Sequence, residues 1–143
     1  MRMGGGQNHR FHLGDGILIK DNHLSALRAS GMSLKEIVAR AKQNAPQGLK
    51  VEVETKTVEE ALDAVEAGAD IVMLDNMSVN EMHRAVSLIP SQVKIEASGG
   101  ITLANVQAVA ETGVNLISVG ALTHSPKALD ISLELEPQTL KLF

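Results

Sequence analysis

Two short stretches near the start of the chain carry the residue types best suited to chemistry. Gly4-Gly5-Gly6-Gln7-Asn8-His9-Arg10 runs from glycine into a His-Arg pair. Leu18-Ile19-Lys20-Asp21-Asn22-His23 leaves an apolar run for a Lys and a His. Glycine has no Cβ, so backbone amides in such a run can approach a ligand closely. His9, Arg10, Lys20 and His23 add fixed and switchable positive charge. That combination suits a small ligand carrying several negative groups.

Carboxylates recur further along. Val51-Glu52-Val53-Glu54 and Ile71-Val72-Met73-Leu74-Asp75 each carry acids at the end of a β-rich run. Glu54 and Asp75 can bind Mg²⁺ through water and substrate oxygens, or stabilise positive charge developing on a sugar. The alternative is a pair of solvated acids. Glu52 shares the pleat of Glu54 and some of its interest, and Glu96 ranks below both because a glycine turn follows it closely. Ala97-Ser98-Gly99-Gly100 and Val119-Gly120-Ala121-Leu122-Thr123-His124-Ser125 are small-residue loops after strand-like runs. Each is read as a nest of amide donors ahead of a helix N-terminus, where an anion is favoured. One such loop is only a turn; two in consecutive units point to a phosphate.

The elements that must position these residues follow a regular beat. Ser33-Leu34-Lys35-Glu36 and Ser78-Val79-Asn80-Glu81 are capping-box patterns, and Thr57 caps a helix between them. Pro46, Gly48, Gly68 and Pro90 stop the helices, and strands are expected at 16–20, 50–54, 71–74 and 93–96. Polar residues fall at the strand ends at a nearly constant interval: Glu54, Asp75, Glu96, Ser118. Residues 66–74 and 111–119 are similar to each other, so the βα unit is repeated. Such units force parallel strands. About five strands are expected, too few for a closed (β/α)8 barrel, which needs ~250 residues. An open or partial α/β barrel of TIM type is favoured over a doubly wound sheet, because no Gly-x-Gly-x-x-Gly fingerprint follows a first strand. The alternation at 131–135 reads as a strand of a sheet missing from this chain.

Composition narrows the function classes. The chain has 143 residues, 44% hydrophobic and 21% charged, with a formal net charge of −4. Aromatics make up 1%, and no basic stripe is present, which argues against nucleic acid as a partner. With no cysteine, thiol nucleophiles and thiolate zinc sites are excluded. No apolar run is long enough to span a bilayer, and no secretory h-region opens the chain, so a cytoplasmic protein without a membrane partner is expected. His9 and His12 stand three apart, but no carboxylate in ligand spacing supports a metal there. His83 is read as a surface residue, and Met73, Met77 and Met82 as packing.

Together the glycine run, the Lys20 segment, Glu52 to Glu54, Met73-Leu74-Asp75-Asn76, Ala97 to Ile101 and Ser118 to Ser125 resemble the quinolinate phosphoribosyltransferase family, in its order and spacing. The resemblance implies transfer of phosphoribosyl from phosphoribosyl pyrophosphate to quinolinate with decarboxylation, giving nicotinate mononucleotide for NAD biosynthesis, with Mg²⁺. It implies that His9, Arg10 and Lys20 hold the quinolinate carboxylates. Glu54, Asp75 and Lys20 would be catalytic, with Glu54 and Asp75 facing Mg²⁺ indirectly. Ser98, Gly99, Gly100, Gly120 and His124 would surround the phosphate. Family members are homodimers or higher oligomers and roughly twice as long, with an N-terminal α/β sandwich and a Thr-Arg-Lys-Thr-type segment before the glycine run. Residues 1–128 would then be the barrel portion, and 129–143 a tail returning to the sandwich. A non-catalytic barrel module binding an anion or phosphate is the alternative.

Overall fold

The computed structural model describes residues 2–124 and 128–133. Short 3-10 turns at Arg2–Gly4 and Leu13–Asp15 precede the first strand, β1 (Ile17–Ile19). The chain then alternates α1 (Asp21–Ala29), α2 (Leu34–Asn44), β2 (Val51–Thr55), α3 (Val58–Glu66), β3 (Ile71–Asp75), α4 (Val79–Leu88), β4 (Lys94–Ser98), α5 (Val106–Glu111), β5 (Leu116–Ile117) and α6 (Ala121–His124). All neighbouring strands pair in parallel, in the order β1-β2-β3-β4-β5. Among the described residues β1 and β5 are therefore open edges, and the expected open α/β barrel is what forms.

The helix starts obey local chemistry. Ser33 and Ser78 make full capping boxes with Glu36 and Glu81. Thr57 Oγ1 accepts from Glu60 N–H, but the Glu60 carboxylate turns to Lys56 N–H instead. Gly68 closes α3 at φ +94°, a conformation that costs a side-chain-bearing residue strain.

The repeat seen in sequence has a structural counterpart. Asp70 accepts from Val51 N–H at 2.9 Å through its carboxylate while its own N–H bonds Val51 O. Asn115, in the matching position, accepts from Ile95 N–H at 2.8 Å and donates its N–H to Ile95 O. Each thus clamps the start of the strand beside it. Partial burial opposes the charge on Asp70, but the Val51 N–H and Lys42 overcome it and hold the carboxyl below its usual range.

Strand alternation divides the sheet into two faces. Val51, Val53, Thr55, Val72, Leu74, Ile95 and Ala97 are buried on the helix side with Val38, Val58, Ala61, Ala64, Met82 and Ala85. Each fully buried Leu or Val contributes roughly 1.5–3 kcal/mol relative to exposure. Thr55 belongs there because its hydroxyl donates to Met73 O at 2.9 Å. The other face carries Leu18, Glu52, Glu54, Met73, Asp75, Glu96 and Ser98, and this is the face that makes the site. Met73, Met77 and Met82 are all buried, and His83 is exposed.

One expectation is corrected. β4 does not end at Glu96 but at Ser98; Glu96 pairs with Met73, as does Glu54, while Asp75 pairs with Ser98. Equal spacing along the chain therefore does not mean equal depth, because the register shifts from strand to strand. Residues 131–133 of the expected tail strand have no regular structure, and Ile131 and Leu133 are exposed; Glu134 and Leu135 lie outside the described residues, as does Ser125.

Candidate functional site

The glycine loop, the turn after β4 and the turn after β5 together enclose a cavity of about 710 Å³. It is lined by His9, Arg10, Ser98, Gly99, Gly100, Gly120 and His124 among others. A second compartment of about 490 Å³ shares His9, Arg10, Ser98, Ser118 and Gly120 with it and adds Lys20, Glu54, Asp75 and Glu96. One divided cleft at the carboxyl ends of the strands thus gathers His9, Arg10, Lys20, Glu54, Asp75, Glu96, Ser98, Gly99, Gly100, Gly120 and His124, whereas His23 and Glu52 do not line it. Its position is where ligands bind in open and closed α/β sheets.

Each side chain has a local reason for its place. Arg10 Nη1 donates to Gly16 O at 3.3 Å, tying the loop to the entry of β1. Lys20 follows β1, and its N–H donates to His23 Nδ1 at 3.1 Å, so His23 serves the start of α1 rather than the cleft. Glu54 and Asp75 are half-buried at the ends of adjacent strands. At the turn after β4, Gly99 has φ +83°, and a Cβ there would stand 2.5 Å from the side chain of Asn76. Only glycine meets both conditions. Asn76 itself takes φ 55°, and its N–H bonds Ser98 O. At Gly120 a Cβ would lie 2.5 Å from His124 Nε2, so the missing side chain is what lets that ring close in.

The helix-end argument for the two phosphate loops is not met. α5 begins at Val106, with Thr102 and Asn105 forming a turn between it and Gly100, and α6 is a single turn. Short helices so placed add little dipole, and the anion-binding capacity rests on the loop amides.

The histidines separate. His12 closes its own turn, accepting from Gly14 N–H and pairing with Asp15 at 2.8 Å. His9 goes instead to two acids: its Nε2 lies 3.0 Å from Glu52 and 3.6 Å from Glu96. Burial, and then the charge of Glu96, push the Glu52 carboxyl up to about 7, against the pull of His9. Sequence reasoning ranked Glu52 and Glu96 below Glu54 because depth was invisible in it. Nor does the sequence show Lys56 pairing with Asp21. The hydrogen bond and charge of Asp21 raise the Lys56 ammonium above its usual range, with smaller help from Asp75 and Glu54. Asp21 is lowered in turn by Lys56 and by Asn22 N–H.

The family model for the C-terminal domain of quinolinate phosphoribosyl transferase matches residues 1–134. A Bacillus subtilis protein named "Probable nicotinate-nucleotide pyrophosphorylase (carboxylating)" is 47% identical over 135 residues, 94% of this chain and 45% of that protein. The Rattus norvegicus nicotinate-nucleotide pyrophosphorylase (carboxylating) is 43% identical over 136 residues, 93% of this chain and 44% of its own length. The solved nicotinate-nucleotide pyrophosphorylase from Francisella tularensis superposes with a TM-score of 0.80 at 44% identity, covering 92% of this chain and 45% of that one. The chain thus spans less than half the length of these relatives. Among the described residues, no helix is long and apolar enough to cross a membrane. A family model matched over residues 1–134, with relatives 43% and 47% identical, makes this chain a member of the quinolinate phosphoribosyl transferase family, corresponding to its C-terminal domain.

Proposed function

We propose that this domain holds the substrates of a transfer between phosphoribosyl pyrophosphate and quinolinate, yielding nicotinate mononucleotide, pyrophosphate and carbon dioxide, a step of NAD biosynthesis. The observation that carries the reading is a single divided cleft lined by His9, Arg10 and Lys20 together with Glu54, Asp75 and the Gly99-Gly100 turn. The names of the relatives point the same way.

In this reaction the pyridine nitrogen bonds the anomeric carbon while the carbon–oxygen bond to pyrophosphate breaks and takes its electron pair with it. The neighbouring carboxylate then leaves as carbon dioxide, and the ring carbon keeps that electron pair and takes up a proton. Arg10 would grip one quinolinate carboxylate with its planar fork, and Lys20 would add a point charge. Glu54 and Asp75 would oppose the positive charge that develops on the ribose. Ser98, Gly99, Gly100, Gly120 and His124 would surround the phosphate.

Mg²⁺ belongs to the same proposal. Glu54 and Asp75 offer only oxygen donors and remain half in contact with water, which fits an ion that keeps several of its waters. When bound it would neutralise the departing pyrophosphate. A homodimeric or larger assembly is also part of the proposal. So is a cytoplasmic site of action, which cell fractionation tests.

Calorimetry with quinolinate tests the reading. Binding is expected, and Arg10→Ala with Lys20→Ala should weaken it about 100-fold, two charged hydrogen bonds being lost. Phosphate binding without any quinolinate binding would mean a non-catalytic anion module.

A further inference from the structure

The deepest polar feature of the cleft has no part in the roles above. Glu52 on β2 and Glu96 on β4 flank β3, and their side chains are 7% and 3% exposed. His9 comes down to them from the glycine loop. Its Nε2 stands 3.0 Å from Oε2 of Glu52 and 3.6 Å from Oε2 of Glu96. Ser118 Oγ donates to Oε1 of Glu96 at 2.5 Å, while Oε1 of Glu52 is buried with no hydrogen-bond partner among the described residues.

A ring carried on such a loop has little local reason to keep one orientation. A Cβ added at Gly4 or Gly5 would meet nothing within 4 Å, so those glycines are not packed. The carboxyls below supply what the loop lacks. Which nitrogen of an imidazole carries a proton is set by the partner of the other, and carboxylate oxygens can only accept unless protonated. Against an ionised carboxyl Nε2 is thereby the donor to the floor, and the Nδ1 edge is left for the cleft.

We infer that Glu52 and Glu96 are positioning residues for His9: they hold its Nε2–H against the floor and so direct the opposite ring edge to a carboxylate of the bound pyridine. The inference rests on the quinolinate reading for the identity of the ligand, and on the geometry alone for the hold on the ring. Supporting groups of this kind fix a binding side chain without touching the ligand.

Nitrogen-resolved NMR of the histidine rings in the 143-residue chain tests the hold directly. At pH 8 the expected result is a His9 ring protonated at Nε2, with a downfield proton protected from exchange. That signal should vanish in Glu52→Ala and persist in Glu52→Gln, which keeps a carbonyl acceptor. Calorimetry should show Glu52→Ala and Glu96→Ala weakening quinolinate about tenfold, the loss of one oriented charged contact, with pyrophosphate affinity unchanged. Equal losses for both ligands would indicate a merely structural role and overturn the inference. So would a wild-type ring protonated at Nδ1 alone, or a stoichiometric divalent cation whose removal by EDTA releases the ring. The wild-type spectrum needs no variant, so it decides even where Glu52→Ala does not fold. Absence of quinolinate binding by the wild type sinks the functional reading, whereas the His9 signal still judges the hold.

Discussion

Glu52 and Glu54 stand two residues apart on the same face of the same strand, and their surroundings make them different chemical groups. Glu54 opens to the cleft mouth near Lys56, half in water. Glu52 lies on the floor, 5% exposed, against Glu96 and under His9. Water pays for a charge at the rim, whereas on the floor a proton or a partner must. One residue type thus stands in two settings: at the rim it faces the cleft and water, and on the floor it meets the His9 ring.

The comparison can be broken most forcefully at the rim. Glu54→Gln with Asp75→Asn should slow phosphoribosyl transfer about 10³-fold in an enzyme carrying this domain, because preorganised charge at the reacting centre is lost. Pyrophosphate release measures it, and an equal loss from Glu52→Gln would erase the distinction between floor and rim. A smaller effect sharpens the floor. Glu52 takes its proton at about 7 when folded and at 4.5 as an ordinary Glu. Stability linked to it is therefore complete below pH 4.5 and is lost as pH rises through 7. Glu52→Gln should accordingly stabilise the chain at pH 8 by about 1–3 kcal/mol, the scale of an uncompensated buried polar group, and change little at pH 5. Thermal melts at the two pH values check the sign. The smallest effect belongs to an exposed pair far from both. Arg84 meets Glu59 at 3.2 Å with both side chains well over half exposed, and Arg84→Ala should cost less than about 0.5 kcal/mol in chemical denaturation.

Much of this was legible in the chain. The Ser33 and Ser78 boxes, the glycine stop at Gly68 and the repeat that places Asp70 and Asn115 are local patterns, and local hydrogen bonds decide them. The carboxyl-end location of Glu54 and Asp75 also followed, since parallel strands with helical returns present their ends on one face. The burial of Glu96 is not legible along the chain because its depth depends on β3–β4 register, which is set by how neighbouring strands pack. The helix expected after Gly100 starts late because Asn105 takes the Thr102 N–H and hydroxyl, a competition between turn and helix that spacing alone does not resolve. The pairing of Lys56 leaves no local signal because its partner, Asp21, lies on a different unit.

By itself, then, the sequence determined the periodic βα units, their caps and the residue types that line the cleft, because these depend on neighbours along the chain. It also carried the family resemblance. Only the tertiary structure decided which acids are wet and which are buried, and that His9 leaves His12 to join Glu52 and Glu96. Those outcomes hang on register and on contacts between residues more than forty positions apart. The free energy of a charge depends on what surrounds it in space, and no spacing along the chain encodes that.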